Sequence, residues 1–191
     1  LSSLLDREKC DIAVLSEHKL KQETRGYLDT IHTDFLSFVK FEDEKSTHTN
    51  VLFAGRGGVA IMYRKCLAFS IREIPCFDSN RIIGIELKTC NGCVYILGAY
   101  LPSDNNVDNY AYELNLLENL YNHYSNYGKV IIAGDLNGSL VDSTGTNERK
   151  SEILSSFAFR KNLCTPYIDF KTCGENYTFT YKKNNPGLRL I

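Results

Sequence analysis

The sequence predicts a mixed α/β fold, a large sheet sandwich covered by helices. Two observations carry that expectation. Short apolar runs bounded by turn residues recur along most of the 191 residues, and two stretches with helical spacing lie between strand-like ones. A third observation sets the organisation. No Pro/Gly/Ser-rich linker, repeat or low-complexity tract divides the chain, so one domain spanning 1–191 is expected. A chain of this size can bury roughly 70% of its unfolded surface.

The elements follow in order. Leu1 to Glu8 reads as the last turns of a helix, with Leu1, Leu4 and Leu5 on one face. Asp11 to Ser16 is a short apolar strand of the kind buried on both faces. Phe35 to Phe41 alternates and reads as a strand, and the polar stretch Glu42 to Asn50 as a loop. Gly57-Gly58 opens a strand to Tyr63, and Phe69 to Ile74, Ile82 to Leu87 and Cys93 to Tyr100 add three more. Asp108 can cap a helix over Asn109 to Tyr124, where Tyr110, Leu114, Leu117, Tyr121 and Tyr124 share a face. Gly128 is placed to end that helix, and Lys129 to Asp135 reads as a buried strand. A helix over Ser151 to Leu163 and a strand over Tyr177 to Tyr181 complete the set.

Composition narrows the classes of function. Lys and Arg total 22 against 23 Asp and Glu, which excludes a grossly basic nucleic-acid glue but not a local basic groove. No apolar run approaches the ~20 residues of a membrane span, and no secretory signal opens the chain. An intracellular, nuclear or cytoplasmic location is therefore expected, with no membrane partner. Seven scattered cysteines suit free thiols in a reducing compartment. Cys90 and Cys93 bracket Asn91-Gly92, a strong hairpin signal. They read as small residues facing each other across a tight turn, with half a zinc site or a redox pair as the competing reading.

Three polar clusters sit where apolar strands end, the place where open α/β sheets hold ligands: Ser16-Glu17-His18, Tyr100-Leu-Pro-Ser103 and Gly134-Asp135-Leu136-Asn137-Gly138. In extended backbone Asp135 and Asn137 would project together. Two carboxylates and a carboxamide suit a hard cation and a phosphate: Mg²⁺ takes oxygen ligands and keeps several waters, and an amide donates to phosphate oxygen. Each cluster alone is an ordinary turn or surface residue; the signal is their order in one chain.

That order resembles the endonuclease/exonuclease/phosphatase (DNase I-like) superfamily. Within it, the chain is most similar to the endonuclease domain of non-LTR (LINE-type) retrotransposon polyproteins. The matching stretches are Ile12 to Glu17, Gly57 to Ile61, Gly98 to Ser103, Val130 to Gly138 and Tyr177 to Tyr181, spanning nearly the whole chain. The resemblance implies a four-layer α/β sandwich and a DNA-nicking phosphodiesterase using Mg²⁺ or Mn²⁺, beside a reverse transcriptase domain in a parent polyprotein. It gives Glu17 the metal, Tyr100 a hydrogen bond to the scissile phosphate, Asp135 the attacking water and Asn137 the phosphate. His18 stands where these enzymes often carry Thr; it reads as a surface histidine, with contact to water on the metal as the competing role.

The family also uses an Asn on an earlier strand, and an Asp and a closing Ser-Asp-His after the Tyr-Thr-Phe segment. None of His18, His32, His48 or His123 stands in that context, so the fold is expected to be incomplete at both ends and the piece poorly active alone. Two alternatives follow: a catalytically silent remnant that binds nucleic acid or protein, or a relative acting on another phosphoester. Gly55-Arg-Gly-Gly58 reads as a strand-entry turn rather than a phosphate cradle. Arg64-Lys65 and Lys182-Lys183 serve equally as DNA-backbone contacts or as ordinary strand-end charges.

Overall fold

In strand β3 (Val59–Arg64), Val59, Ile61 and Tyr63 face one way and Ala60 and Met62 the other, and all five are buried. A strand apolar on both faces belongs inside a layered structure. The computed structural model describes residues 1–42, 55–76, 78–140 and 148–164. Within them β3 is the centre of an antiparallel sheet ordered β1-β3-β2, with β1 at Ile12–Ser16 and β2 at Phe35–Lys40. A second sheet is ordered β4-β5-β6-β7, with β4 at Ile71–Ile74, β5 at Ile82–Thr89, β6 at Gly92–Tyr100 and β7 at Gly128–Asp135. Its first three strands pair antiparallel, and β7 runs parallel to β6. A parallel pair needs a crossover, which helix α3 (Val107–Tyr124) supplies.

Period-two alternation sorts the side chains into three apolar layers. Val14, Val59, Ile61 and Tyr63 meet Ile71, Ile83, Ile85, Ile96 and Tyr100 between the two sheets. The other faces of β5 and β6 give Ile82, Tyr95, Leu97 and Ala99 to Tyr110, Leu114 and Leu117 of α3 and to Leu154 and Phe157 of α4 (Glu148–Arg160). On the far side of the first sheet, Leu15, Ala60 and Met62 pack under Leu5 of α1 (Ser2–Arg7) and Leu28 of α2 (Leu28–Ile31). Helices, sheet, sheet, helices: three cores make four layers, the sandwich anticipated from the sequence. A fully buried side chain such as Ile61 contributes roughly 1.5–3 kcal/mol to holding them together.

Several local expectations are corrected. The β5–β6 turn is Cys90-Asn91, since Thr89 pairs with Gly92 and Lys88 with Cys93. The Thr89 hydroxyl donates to the Gly92 carbonyl and accepts from Asn91 N, which locks that register. Cys90 and Cys93 therefore do not face each other; the Cys93 thiol instead donates to the buried Glu86 carboxylate at 3.4 Å. The cap of α3 is Asn106, whose side chain accepts from Asn109 N at 3.0 Å, and not Asp108. Helix α3 ends at Tyr124, so Gly128 starts β7 rather than stopping the helix. Strand β7 is only partly buried, with Ile131 half exposed, because it is the outermost strand of the described sheet. Lys65–Leu67 forms a 3-10 turn and Phe69 is solvent-exposed, so β4 begins only at Ile71. The predicted strand Tyr177 to Tyr181 and the Lys182-Lys183 pair lie outside the described residues. No described helix is long and apolar enough to cross a membrane.

Candidate active site

The C-terminal ends of β1, β6 and β7 lie side by side and bring Glu17, Tyr100, Asp135 and Asn137 to one end of the sandwich. Glu17 follows the last residue of β1 in a left-handed conformation, φ +56°, which few non-glycine residues adopt. Its N–H donates to Gly58 O at 2.9 Å and Lys19 N to Gly57 O at 2.9 Å, so the two glycines leading into β3 fix the bend. Gly58 has φ +88°, and a Cβ there would stand 2.3 Å from the His18 ring. No other residue fits that crossing.

Tyr100 closes β6. Its ring lies between the sheets and its hydroxyl donates to Glu17 Oε1 at 2.6 Å. Burial pushes the phenol pKa up to about 12, assisted by the hydrogen bond to Glu17; Ser103 and the Arg81 guanidinium, 5.3 Å from the ring centre, pull it the other way. The hydroxyl is thus a donor at any physiological pH. Asp135 is the register partner of Tyr100 across the parallel pair, and Leu101 N donates to its carbonyl at 3.0 Å. Gly134, at φ +123°, lets the β7 backbone press against Ala99 O, which a Cβ would meet at 2.1 Å.

Asp135 and Asn137 do not project together from an extended strand, as the spacing suggested. The chain leaves β7 at Asp135 and Asn137 is left-handed, φ +47°. Asp135 Oδ1 accepts from Asn137 N at 3.1 Å, an Asx turn, and Asn137 Nδ2 donates to Leu101 O at 2.8 Å. A carboxylate able to turn back on its own backbone overrides the strand period. The turn still returns the Asn137 amide to the β6 exit.

Ser16, to which the sequence pattern assigned no chemistry of its own, links the sheets: Asp135 N donates to its Oγ at 3.2 Å. Only the neighbouring Glu17 could have drawn attention to it. Arg81 was missed as well. It donates to Tyr100 O at 3.4 Å and pairs with Glu42, and nothing in the local sequence marks it. Lys19 Nζ lies 4.0 Å from Glu17 Oε2 with both side chains exposed, a weak pairing that a cation could displace. Among the described residues no three His, Cys, Asp or Glu side chains are grouped to hold a metal. The Glu17 carboxylate nevertheless suits Mg²⁺, which can be held through one or two carboxylates with waters and substrate phosphate.

The sequence matches the "Endonuclease/Exonuclease/phosphatase family" over residues 1–190. The chain belongs to that family. No curated protein matches it. Solved structures share the fold at low identity. The endonuclease domain of TRAS1, a telomere-specific non-LTR retrotransposon, superposes with a TM-score of 0.53 at 14% identity, covering 83% of this chain and 61% of that one. TDP2 from D. rerio, complexed with single-strand DNA product, gives 0.52 at 21%, covering 71% and 51%. The 3′ phosphatase NExo from Neisseria, bound to a product DNA hairpin, gives 0.52 at 17%, covering 81% and 63%. The chain spans about half to under two-thirds of the length of these structures.

Other candidates in this family member have structural duties. His18 is neither a surface residue nor a group open to a metal. Leu20 N donates to its Nδ1 at 3.0 Å, so Nε2 carries the proton and donates to Lys40 O at 2.9 Å. Burial lowers its pKa and keeps it neutral. Arg64, weighed as a DNA contact, donates to Cys10 O at 2.9 Å, pairs with Asp11 at 3.2 Å and covers the Phe35 ring. His123 stacks edge-on against Tyr124 on the outer helix.

Proposed function

We propose that this chain carries the catalytic site of a metal-assisted DNA-nicking endonuclease of the retrotransposon type. The observation that carries the reading is the 2.6 Å Tyr100–Glu17 hydrogen bond formed next to the Asp135–Asn137 turn. The same end of the fold thus offers an acceptor for a hard cation, a donor for phosphate, a base and an amide. Family membership supports phosphodiester chemistry, and the likeness to the TRAS1 endonuclease domain supports the retrotransposon type.

In this reading Glu17 holds Mg²⁺ or Mn²⁺, which when bound supplies Lewis-acid stabilisation of charge on the phosphate. The Asp135 carboxylate accepts a proton from the attacking water, whose oxygen forms a bond to phosphorus as the bond to the leaving oxygen breaks. The Asn137 amide donates to a phosphate oxygen, and the Tyr100 hydroxyl turns its single proton from Glu17 to a phosphate oxygen once the carboxylate takes the cation. Both sit on strand exits and are held before substrate arrives, the condition under which such donors are worth ~10²–10³ in rate each. A reverse transcriptase domain in the parent polyprotein belongs to the same proposal.

The test is nicking of supercoiled plasmid in Mg²⁺ by this domain within its parent polyprotein, and by its Asp135→Ala and Glu17→Gln variants in the same setting. Each variant should lose at least ~10²-fold. The chain contains no Trp, so tyrosine-sensitised Tb³⁺ luminescence reports separately on a cation beside Tyr100, and Glu17→Gln should abolish it. Tb³⁺ binding without nicking would favour the silent remnant, and turnover of a different phosphoester would reassign the substrate. Loss of neither signal in Glu17→Gln would overturn the site.

A further inference from the structure

The first turn of α4 carries two polar side chains that are almost wholly enclosed, Lys150 at 2% and Ser151 at 3% exposure. Lys150 Nζ donates to Pro102 O at 3.0 Å and to Asp104 O, and it lies 5.3 Å from the centre of the Tyr110 ring. Its acceptors are main-chain carbonyls rather than a carboxylate. An ammonium buried on such terms is costly, and an apolar side chain of similar volume would fill the space with less penalty. Its position explains what it holds. Pro102 and Asp104 belong to the chain leaving β6 directly after Tyr100.

The neighbouring residue grips the other exit. Ser151 Oγ accepts from Ser139 N at 3.0 Å, and the Tyr110 hydroxyl donates to Leu136 O at 2.9 Å, so the Leu136 to Ser139 segment carrying Asn137 is bound to the same helices. Between the two exits runs the Asn137 Nδ2 to Leu101 O bond of 2.8 Å. We propose that Lys150 is a positioning residue for phosphodiester hydrolysis: it ties the β6 exit to the helix that holds the β7 exit, and so sets Asn137 against Tyr100. The inference rests on the roles given above to Tyr100 and Asn137.

The test compares Lys150→Met, Lys150→Gln, Asn137→Ala and the Asn137→Ala/Lys150→Met double variant in the nicking assay. Side-chain amide exchange of Asn137 is followed by ¹⁵N NMR alongside. Lys150→Met should lower kcat about 10- to 100-fold, the scale of an ångström of misplacement, and change KM less than about 3-fold. Its melting temperature should hold or rise, since a buried charge has been removed. Exchange at Asn137 Nδ2 should quicken by at least about tenfold, and the double variant should be no slower than Asn137→Ala within about 3-fold. Lys150→Gln, shorter but still a donor, should fall between wild type and Lys150→Met.

A full additional loss in the double variant, an unchanged kcat, or unfolding of both Lys150 variants would overturn the proposal. If the wild type does not nick even within its parent polyprotein, the functional reading fails. Asn137 exchange then still decides the brace: unchanged exchange in Lys150→Met refutes it.

Discussion

Replacing Tyr100 with Phe removes one oxygen and with it the 2.6 Å hydrogen bond to Glu17. A bond to a charged acceptor is worth ~1.5–3 kcal/mol net. The Glu17 side chain is 37% exposed, so water recovers part of this and the loss at pH 8 is about 1 kcal/mol. The pH dependence separates this bond from simple packing. The native phenol holds its proton up to about pH 12, whereas the unfolded chain releases it near the ordinary value of 10. The contribution is therefore complete below pH 10 and is lost as pH rises from 10 through 12, by at most ~3 kcal/mol at ~1.4 kcal/mol per pH unit. Phe has no proton to lose. Wild type should be about 1 kcal/mol more stable than Tyr100→Phe at pH 8 and about 1 kcal/mol less stable near pH 12, the curves crossing at roughly pH 11. Urea unfolding at half-unit steps from pH 8 to 12 measures the gap directly. A constant gap across that range would show that Tyr100 is not held against Glu17 in an enclosed setting.

Two further outcomes follow from the same corner of the molecule. Gly58→Ala should destabilise the protein by more than ~2 kcal/mol in denaturant titration, because a Cβ at φ +88° meets the His18 ring at 2.3 Å; a cost below ~0.5 kcal/mol would mean that the crossing is looser than described. Burial holds the His18 pKa below its ordinary value, so its contribution is present above pH ~6.5 and is lost as pH falls below it. Stability measured between pH 7.5 and 5 should thus fall more steeply in wild type than in His18→Gln, and equal slopes would contradict the neutral tautomer.

A sheet sandwich covered by helices was legible in the residues alone, and the family resemblance added the count of four layers. Hairpin-linked apolar strands beside helices that cross between strands point to stacked sheets with helices outside, and the structure buries both faces of most of β3, β5 and β6 accordingly. The three polar clusters had to lie where those strands run out, and they do. What the sequence left undecided was every feature made by competition between local bonds. Thr89 moved the hairpin turn by one residue, Asn106 took the cap from Asp108, and the Asp135 side chain pulled Asn137 out of the strand. Each is settled by which donor reaches which acceptor first in space, and a period in the sequence has no access to that. The same holds for partners far apart in the chain. Ser16 reaches Asp135, Arg81 covers Tyr100, and Lys150 closes on Pro102 only because two sheets and a crossover helix converge there. Residue types can announce a carboxylate at a strand end, but its orientation and the groups that hold it in place are properties of the packed structure alone.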